Sequence, residues 1–338
     1  MTGLLYPLFP VASFLAFVLV LLPLPWHLEA WNSGTCYYMM WTALACLNQF
    51  VNSVIWANDA IDRAPVFCDI STRITLAASA GIPAASMCII RRLYNISKIQ
   101  AVATTHAEKR RVVLVDTLIC VLFPILCLPL AYVVQGHRFD VIQEVGCHAS
   151  VVNTLLSYFL VTMWPILFGL ISFVYCVLTM RSFLQRQAQF AEFLSSNKAL
   201  SASRYFRLMA LACIEIMCTI PISIVFTVLN LKAEPFEPWV SWEDTHSNFS
   251  RVVLIPSVIW RQTKLVEVSI ECGRWSPLFC ALLFFAFFGF AEESRKNYKY
   301  GVTALLTACR LGKKDDGSSS TKATISSKYV QLPLCCYP

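Results

Sequence analysis

The sequence predicts an all-α fold, an integral membrane bundle of seven transmembrane helices. Composition is the first observation, because 57% of the 338 residues are hydrophobic and only 14% are charged. A chain this apolar is unsuited to an ordinary soluble domain. The second observation is a series of seven apolar runs, each near the length of a membrane-spanning helix. The runs are centred on Pro7 to Leu24, Thr35 to Trp56, Ile70 to Ile90, Val112 to Val134, Val151 to Leu178, Leu208 to Leu229 and Trp275 to Phe290.

The distribution of basic residues predicts how the bundle is oriented. Of the 27 lysines and arginines, 19 lie in residues 91–111, residues 181–207 and the segment from residue 295 onward. These segments follow the third, fifth and seventh runs and share one face, which the positive-inside rule places in the cytoplasm. Seven spans then put the amino terminus outside and the carboxyl terminus in the cytoplasm. Residues 1–290 are expected to form the transmembrane domain, and residues 291–338 a largely disordered cytoplasmic tail.

Several classes of function find no support in the sequence. The net charge of +7 fits a basic face against anionic membrane lipid, so lipid is an expected partner and nucleic acid is not. The chain contains no G-x-S-x-G elbow, no H-E-x-x-H pair and no P-loop, so it is not expected to be an enzyme. No Cys or His spacing suits zinc, and no cofactor or metal is expected. The first run lacks the basic region of a signal peptide and is expected to be a retained helix.

Polar residues at the edges of two runs predict a cavity that opens to the outside. The third and seventh runs are short for a span, and each can be extended outward, through Cys68 to Arg73 and through Lys264 to Arg274. Polar side chains at that depth are tolerated only where they face the bundle interior or a cavity. The third and seventh helices are therefore expected to line a water-accessible pocket.

A few residues inside the runs form the predicted polar core of the bundle. Asn48 and Asn52 lie in the second run, and Glu215 is an acidic residue deep in the sixth. Such a carboxylate has to face the interior. A secondary transporter with Glu215 in a proton or ion pathway is the alternative function, although internal repeats and paired broken helices are missing. Pro221 and Pro277 are expected to kink the sixth and seventh helices, either for packing alone or as elements that swing a cytoplasmic end.

Cysteines and glycosylation sequons carry further expectations about the outer face. Most of the 15 cysteines lie in apolar runs and act there as small hydrophobic residues. Cys68, Cys147 and Cys272 are placed on the oxidising face, where a Cys68–Cys147 bridge would tie the third helix to the following outer loop, although sequence leaves the connectivity open. The sequon at Asn248 is expected to be outside and glycosylated, whereas the sequon at Asn95 is expected to stay bare in the cytoplasm.

Short blocks of residues, in a fixed order over about residues 4 to 300, resemble a known family. The chain is similar to the fungal mating-pheromone receptors that recognise lipid-modified peptides, the a-factor receptor family, and to their mushroom mating-type members in particular. The blocks are Leu24-Pro25-Trp26-His27, Cys68-Asp69-Ile70-Ser71-Thr72, Arg91-Arg92-Leu93-Tyr94, Gly136-His137-Arg138-Phe139-Asp140 with Gly146-Cys147, Tyr205-Phe206-Arg207-Leu208-Met209, Pro238-Trp239-Val240-Ser241-Trp242, and Phe284 to Phe290 with Ala291-Glu292-Glu293.

The resemblance implies a G-protein-coupled receptor in the plasma membrane. Its implied ligand is a farnesylated peptide mating pheromone, and its implied partner is the alpha subunit of a heterotrimeric G protein, activated in the mating response. A seven-helix receptor for a different ligand is the second alternative function. Assembly as a homo-oligomer is left open.

Ligand discrimination is expected in the outer loops. A prenyl chain gains about 0.8 kcal/mol for each methylene that leaves water, but the bilayer offers nearly the same gain. Polar and aromatic loop residues must then distinguish one ligand from another, although loop tryptophans are also common as membrane-interface anchors. The predicted ligand-binding residues are Trp239, Trp242, Glu243, Asp244, His246, Trp260 and Glu267, with Arg138 and Asp140 from the preceding outer loop.

Basic residues at the inner ends of the helices are the predicted contacts to the G protein. They surround the place where the third, fifth and sixth helices end, although each arginine alone is also explained by membrane topology. Arg91 and Arg92 stand where other receptor classes carry an activating arginine, but the usual acidic neighbour in the chain is missing. The predicted set is Arg91, Arg92, Tyr94, Arg181, Arg186, Arg204 and Arg207.

Overall fold

The computed structural model describes residues 7–98, 106–185, 202–233 and 236–289, and this part of the chain is mostly helical. It contains seven long helical segments. The segments are α1 (Leu8–Glu29), α2 (Ser33–Ile55), α3 (Pro65–Lys98), α4 (His106–Val133), α5 (Leu155–Gln185), α6 (Ala202–Ala233) and α7 (Lys264–Phe288). α4 and α5 each include a π-helical turn, Leu118–Leu122 and Tyr158–Thr162 respectively.

Five of these segments, α1, α3, α4, α5 and α7, are long and apolar enough to cross a membrane. α2 carries Asn48, Gln49 and Asn52, whose amides lower its hydropathy. In α6 a shorter apolar stretch, Ile220–Lys232, is found. The chain therefore has the helices of a multi-pass membrane protein, whereas the count of seven spans and the orientation of the termini stay predictions.

α3 is the central helix of the described bundle. Of its most apolar window, 67% is buried inside the protein, against 33% for α1 and 22% for α4. Small residues on α3, including Gly81, Ala84 and Ala85, let neighbouring helices approach closely. Both α3 and α7 include the polar extensions expected from the sequence, since they begin at Pro65 and Lys264. α3 therefore reaches from one end of the bundle to the other.

A small three-stranded sheet covers one end of the bundle, which we call the sheet face. Its strands are β1 (Phe139–Ile142), β2 (Gly146–His148) and β3 (Val252–Ile255). β1 lies in the middle, antiparallel to β2 and parallel to β3. The all-α prediction misses this sheet, because strands of three or four residues inside loops leave no period-two pattern long enough to read.

A disulfide fastens the sheet to the bundle. Cys68 at the start of α3 and Cys147 in β2 are bonded, with their Cα atoms 5.2 Å apart. Around it Trp56, Phe139 and Val141 form a buried apolar cluster. The bridge removes conformational freedom from the unfolded chain, because it closes a loop with a sequence separation of 79 residues.

The predicted polar core joins α2, α3 and the sheet. Asn52 donates through Nδ2 to Ser71 Oγ at 2.8 Å, and its Oδ1 accepts the backbone N–H of Cys147 at 2.8 Å. Asn48 donates to the Ser71 carbonyl and to Thr75 Oγ1, each at 3.1 Å. These amides are buried, so their hydrogen bonds offset the cost of placing polar groups in an apolar interior.

The remaining residues of the predicted polar core lie on α6 and α7. Pro221 and Pro277 lie inside those helices. The side chain of Glu215 lies outside the described residues, and the transporter alternative stays a prediction. Residues 290–338, which include the predicted tail, also lie outside the described part of the chain.

We predict that Gly146→Ala destabilises the protein by roughly 2–4 kcal/mol. Gly146 has φ +99°, which strains any residue with a Cβ, and an added Cβ would overlap the Asn52 side chain. Thermal unfolding of the purified protein in detergent measures the effect. Gly136→Ala, where the new Cβ would meet the tip of Val152, is the matched control and is expected to cost less.

A double variant separates the two causes of that loss. Asn52→Gly removes every side-chain atom that the new Cβ would overlap, so Gly146→Ala should cost less in the Asn52→Gly background than in the wild type. Equal costs in both backgrounds would contradict a direct contact between the two residues.

Candidate functional site

The predicted ligand-binding residues lie at the sheet face in three separate groups. The first is an aromatic cluster formed by Tyr132, Trp242, His246 and Phe249. The rings of Trp242 and His246 are stacked with centroids 3.9 Å apart, and Tyr132 of α4 lies 5.2 Å from both His246 and Phe249. Tyr132 and Phe249 were not predicted from the sequence. Tyr132 ends an otherwise apolar run, so its role shows only through its contacts.

His246 also connects the outer loop to the end of α4 by hydrogen bonds. Its Nε2 lies 3.0 Å from the carbonyl oxygen of Tyr132, and its Nδ1 lies 2.9 Å from that of Trp242. Both partners are acceptors, and a neutral imidazole has a single N–H. The protonated ring satisfies both carbonyls, whereas the neutral ring satisfies one.

The other loop residues of the predicted set are exposed near this cluster. Trp239, Glu243 and Asp244 are solvent-exposed. Ser241 caps the helical turn Trp242–Thr245 by accepting the backbone N–H of Asp244 at 3.1 Å. The sequon residue Asn248 is exposed beside them. These side chains are accessible to a ligand that approaches the sheet face.

The second group is a charged cluster between β1 and α7. Arg261 donates to Glu144 at 2.6 Å and to Glu267 at 3.0 Å. Its guanidinium lies 4.3 Å from the ring centroid of Trp260, which is buried and donates through Nε1 to the carbonyl of Gln143 at 3.2 Å. Glu267 and Trp260 are therefore held by ion pairing and burial. Glu144 was missed in the sequence because nothing local marks a loop glutamate as the partner of a residue 117 positions later.

The charged cluster continues into α7 through two further residues. Glu271 accepts from Arg274 at 3.3 Å and from the indole N–H of Trp275 at 3.0 Å. Arg274 is only 9% exposed, and its guanidinium lies 3.8 Å from the centroid of the Phe9 ring on α1. This cation–π contact and the Glu271 pair compensate the buried charge. α1 and α7 are thereby joined near the sheet face.

The third group contains Arg138 and Asp140. Arg138 binds the carboxylate of Asp69 with two hydrogen bonds, of 3.1 and 2.6 Å. The hydrogen bond to Asp69 raises the pKa of the Arg138 guanidinium. Asp140 pairs with His137 Nε2 at 2.5 Å. Both predicted residues are thus engaged within the protein, and Arg138 attaches the outer loop to the start of α3.

At the opposite end of the bundle, which we call the arginine face, Arg91 forms a buried ion pair. Its Nη2 donates to Asp116 Oδ1 of α4 at 2.6 Å, and Ser33 Oγ donates to the other carboxylate oxygen. Asp116 is only 1% exposed. The acidic partner missing beside Arg91 in the chain is therefore supplied by a different helix. The sequence does contain a signal, because Asp116 is the one acidic residue in the fourth apolar run.

The neighbouring predicted residues also make intramolecular contacts. Arg92 donates to the carbonyl oxygens of Ala30, at 3.3 Å, and Trp31 in the turn between α1 and α2. The ring of Tyr94 packs against that of Tyr175 on α5, with centroids 5.5 Å apart. The Arg91–Asp116 pair, Arg92 and Tyr94 together attach α3 to the three elements around it.

The other basic residues of the predicted set lie on α5 and α6. Arg181 is exposed near the end of α5, and Arg207 is half-buried near the start of α6. Arg186 and the side chain of Arg204 lie outside the described residues. At the arginine face the described structure therefore combines an exposed cation with arginines that are engaged within the protein.

We predict that Asp116→Ala lowers the free energy of unfolding by about 3–5 kcal/mol, because it leaves the charge of Arg91 without a partner. Asp59→Ala is the matched control. Asp59 pairs with Arg63, but both side chains are substantially exposed, so the expected loss is below about 1 kcal/mol. Thermal unfolding in detergent measures both variants. Similar losses would contradict a special role for the buried pair.

Comparison with known proteins places these features in a family. The model of the STE3 family, described as pheromone A receptor, matches residues 8–307. The pheromone B alpha 3 receptor of Schizophyllum commune is 54% identical over 305 residues, covering 90% of this chain and 48% of that protein. Pheromone receptor 1 of Mycosarcoma maydis is 32% identical over 311 residues, covering 92% of this chain and 87% of that protein.

A more distant relative extends the comparison to yeast. The pheromone a factor receptor of Saccharomyces cerevisiae is 25% identical over 307 residues, covering 88% of this chain and 61% of that protein. The chain spans about half the length of the Schizophyllum alpha receptors that it matches. The resemblance found in the sequence is confirmed, as is the prediction of a receptor class rather than an enzyme. The chain belongs to the pheromone A receptor family.

Proposed function

We propose that this protein is a G-protein-coupled receptor for a farnesylated peptide mating pheromone in the fungal plasma membrane. The observation that carries the proposal is that α3 connects two different faces. At the sheet face α3 holds the disulfide and the Asp69–Arg138 pair, and at the arginine face it holds the Arg91–Asp116 pair. Membership of the pheromone A receptor family supports this use of the two faces.

In the proposed topology all seven helical segments cross the membrane, with the sheet face outside. α2 is proposed to cross despite its polar residues because the amides of Asn48 and Asn52 are hydrogen-bonded to α3. α6 is proposed to cross with its apolar stretch Ile220–Lys232 in the bilayer. The basic ends of α3 and α5 then lie in the cytoplasm, as the positive-inside rule favours.

The ligand is proposed to bind across the sheet face. The aromatic cluster offers flat apolar rings, and the exposed Glu243 and Asp244 offer negative charge next to it. A peptide with aromatic or basic side chains is complementary to that combination. Arg261 and Glu267 are already paired, so we propose that they shape the surface, whereas Trp242, Glu243, Asp244 and His246 contact the peptide directly.

Coupling to the G protein is proposed to work by a shift between two arrangements of α3. A ligand can shift such an equilibrium only by its difference in affinity for the two arrangements. α3 has 34 residues and is therefore about 50 Å long, enough to connect the two faces as one continuous helix, with Pro83 inside it. Release of Arg91 from Asp116 would expose a cation at the arginine face, where the alpha subunit is proposed to dock.

The orientation is tested by glycosylation of two sequons at opposite ends of the bundle. Asn248 lies at the sheet face and Asn95 near the arginine end of α3, and both are exposed. We expect fungal expression to yield a glycan that is lost in Asn248→Gln and retained in Asn95→Gln. A glycan lost only in Asn95→Gln would invert the proposed topology.

The receptor activity is tested by guanine-nucleotide exchange on a fungal alpha subunit, with the full chain in membranes and a panel of synthetic farnesylated peptides. We expect at least one peptide to stimulate exchange. Trp242→Ala should raise the half-maximal concentration at least tenfold, because it removes a stacked ring from the aromatic cluster.

Val240→Ala is the control for that variant, since Val240 lies in the same loop and is 68% exposed. It should change the half-maximal concentration by less than about threefold. If none of the peptides stimulates exchange although the protein is displayed at the cell surface, the proposed function is contradicted for this panel of ligands.

A further inference from the structure

A groove opens on the outer surface of the bundle between α2, α3 and α4. Its volume is about 480 Å³, within the range of small-molecule sites. Apolar side chains from all three helices line most of it, among them Trp41, Ile74, Ala77 and Ile125, and Asp69 and Arg73 lie at one end. Both charged residues are near the start of α3, so the polar end of the groove is at the sheet face.

The shape of the groove is fixed by contacts of Trp41. Its indole N–H donates to the carbonyl oxygen of Cys120 on α4 at 2.7 Å. Its ring also lies against α3 at Gly81, where an added Cβ would be only 2.7 Å from the ring. Trp41 therefore bridges all three helices and forms a stable wall. The space beside it is a built feature of the fold.

The polar end of the groove is continuous with the proposed peptide surface. Arg73 donates to Gln135 Oε1 at 2.8 Å, and its guanidinium lies 5.9 Å from the ring of Tyr132 in the aromatic cluster. Asp69 on the same rim is bound by Arg138 of the outer loop. A ligand whose polar part lies on the aromatic cluster thus has an apolar channel directly next to it.

We propose that the prenyl chain of the lipopeptide ligand occupies this groove while its peptide lies on the aromatic cluster. The inference rests on the proposed function and adds the location of the lipid. The groove is open towards the surroundings of the bundle, so a chain already dissolved in the bilayer can enter sideways without crossing water. Arg73 has N–H donors of the kind that peptide carbonyl oxygens accept, and the Asp69 carboxylate on the same rim is already bound by Arg138.

The groove positions the prenyl chain and contributes little free energy of transfer to its binding. A prenyl chain leaves one apolar environment for another when it moves from the bilayer into the groove. Its capture there fixes the attached end of the peptide beside Arg73 and reduces the number of arrangements that the peptide must lose on binding. An unprenylated peptide of the same sequence lacks this restraint.

Photolabelling tests the location directly and needs no signalling. The probe is a synthetic peptide ending in S-farnesyl-cysteine, with a diazirine on the last isoprene unit, added to the full-length protein in phosphatidylcholine nanodiscs. We expect the label on the residues of α2, α3 and α4 that line the groove, and competition by the same peptide without the diazirine. Label on other helices only would overturn the proposal. A diazirine-bearing phospholipid is the comparison probe. If it labels the same residues equally and the farnesylated peptide does not displace it, the groove is a membrane-lipid site and the proposal is also overturned.

Two neighbouring residues of α4 provide a matched pair of variants. Ile125 lines the groove and is 48% exposed, whereas Leu126 is 55% exposed but does not line it. Ile125→Trp should reduce the labelling at least fivefold, and Leu126→Trp should leave it within about twofold of the wild type. Equal labelling of both variants would contradict the location.

Nucleotide exchange separates this inference from the proposed function. If the groove is labelled but no peptide stimulates exchange, the proposed lipid site is kept and the proposed receptor function is contradicted. Stimulated exchange with label elsewhere would retain the receptor and overturn the lipid site. With both in place, Ile125→Trp is expected to reduce the potency ratio of farnesylated to unprenylated peptide at least tenfold.

Discussion

The constraint on which the rest of this structure depends is that a bilayer interior supplies no water to its polar groups. Each such group must find a partner inside the protein. Asn52 satisfies a backbone N–H of the sheet, Asp116 accepts from Arg91 and Ser33, and Arg274 lies between Glu271 and Phe9. Each of these three residues contacts at least one other element, so the polar residues help to determine which elements are neighbours while the apolar residues fill the space between them.

α3 takes part in most of these connections, which is why it relates the two faces to each other. Its first turns are fixed by the disulfide and by Arg138, its middle packs closely against Trp41, and its last turns hold Arg91 and Arg92. The groove and the aromatic cluster adjoin the same first turns. A ligand bound at the proposed site would therefore contact the helix that carries the ion pair of the arginine face. The proposed ligand site and the proposed coupling site therefore depend on one helix.

Much of the helical part could be predicted from the sequence, because apolar runs and the asymmetry of basic residues record the bilayer directly. The polar extensions of α3 and α7 and the buried amides of α2 could also be predicted, since polar residues in apolar runs are conspicuous. Contacts between residues far apart in the chain could not be predicted from the sequence. The pairing of Asp116 with Arg91, the Glu144–Arg261 contact and the parallel pairing of β1 with β3 depend on tertiary geometry. The sequence predicted Trp242 and His246 in an outer loop, but their contacts with the Tyr132 ring depend on where α4 ends.

The most direct test of coupling through α3 is whether the Asp116→Asn variant stimulates nucleotide exchange on the alpha subunit without a ligand. This test needs no knowledge of the ligand. The asparagine keeps the size of the side chain and removes the charge that holds Arg91. Coupling through α3 predicts exchange on the alpha subunit above the wild-type basal rate at equal surface display, with Asp59→Asn at the wild-type level. Exchange by Asp116→Asn that equals the wild-type basal rate would contradict the claim that the Arg91–Asp116 pair restrains the receptor.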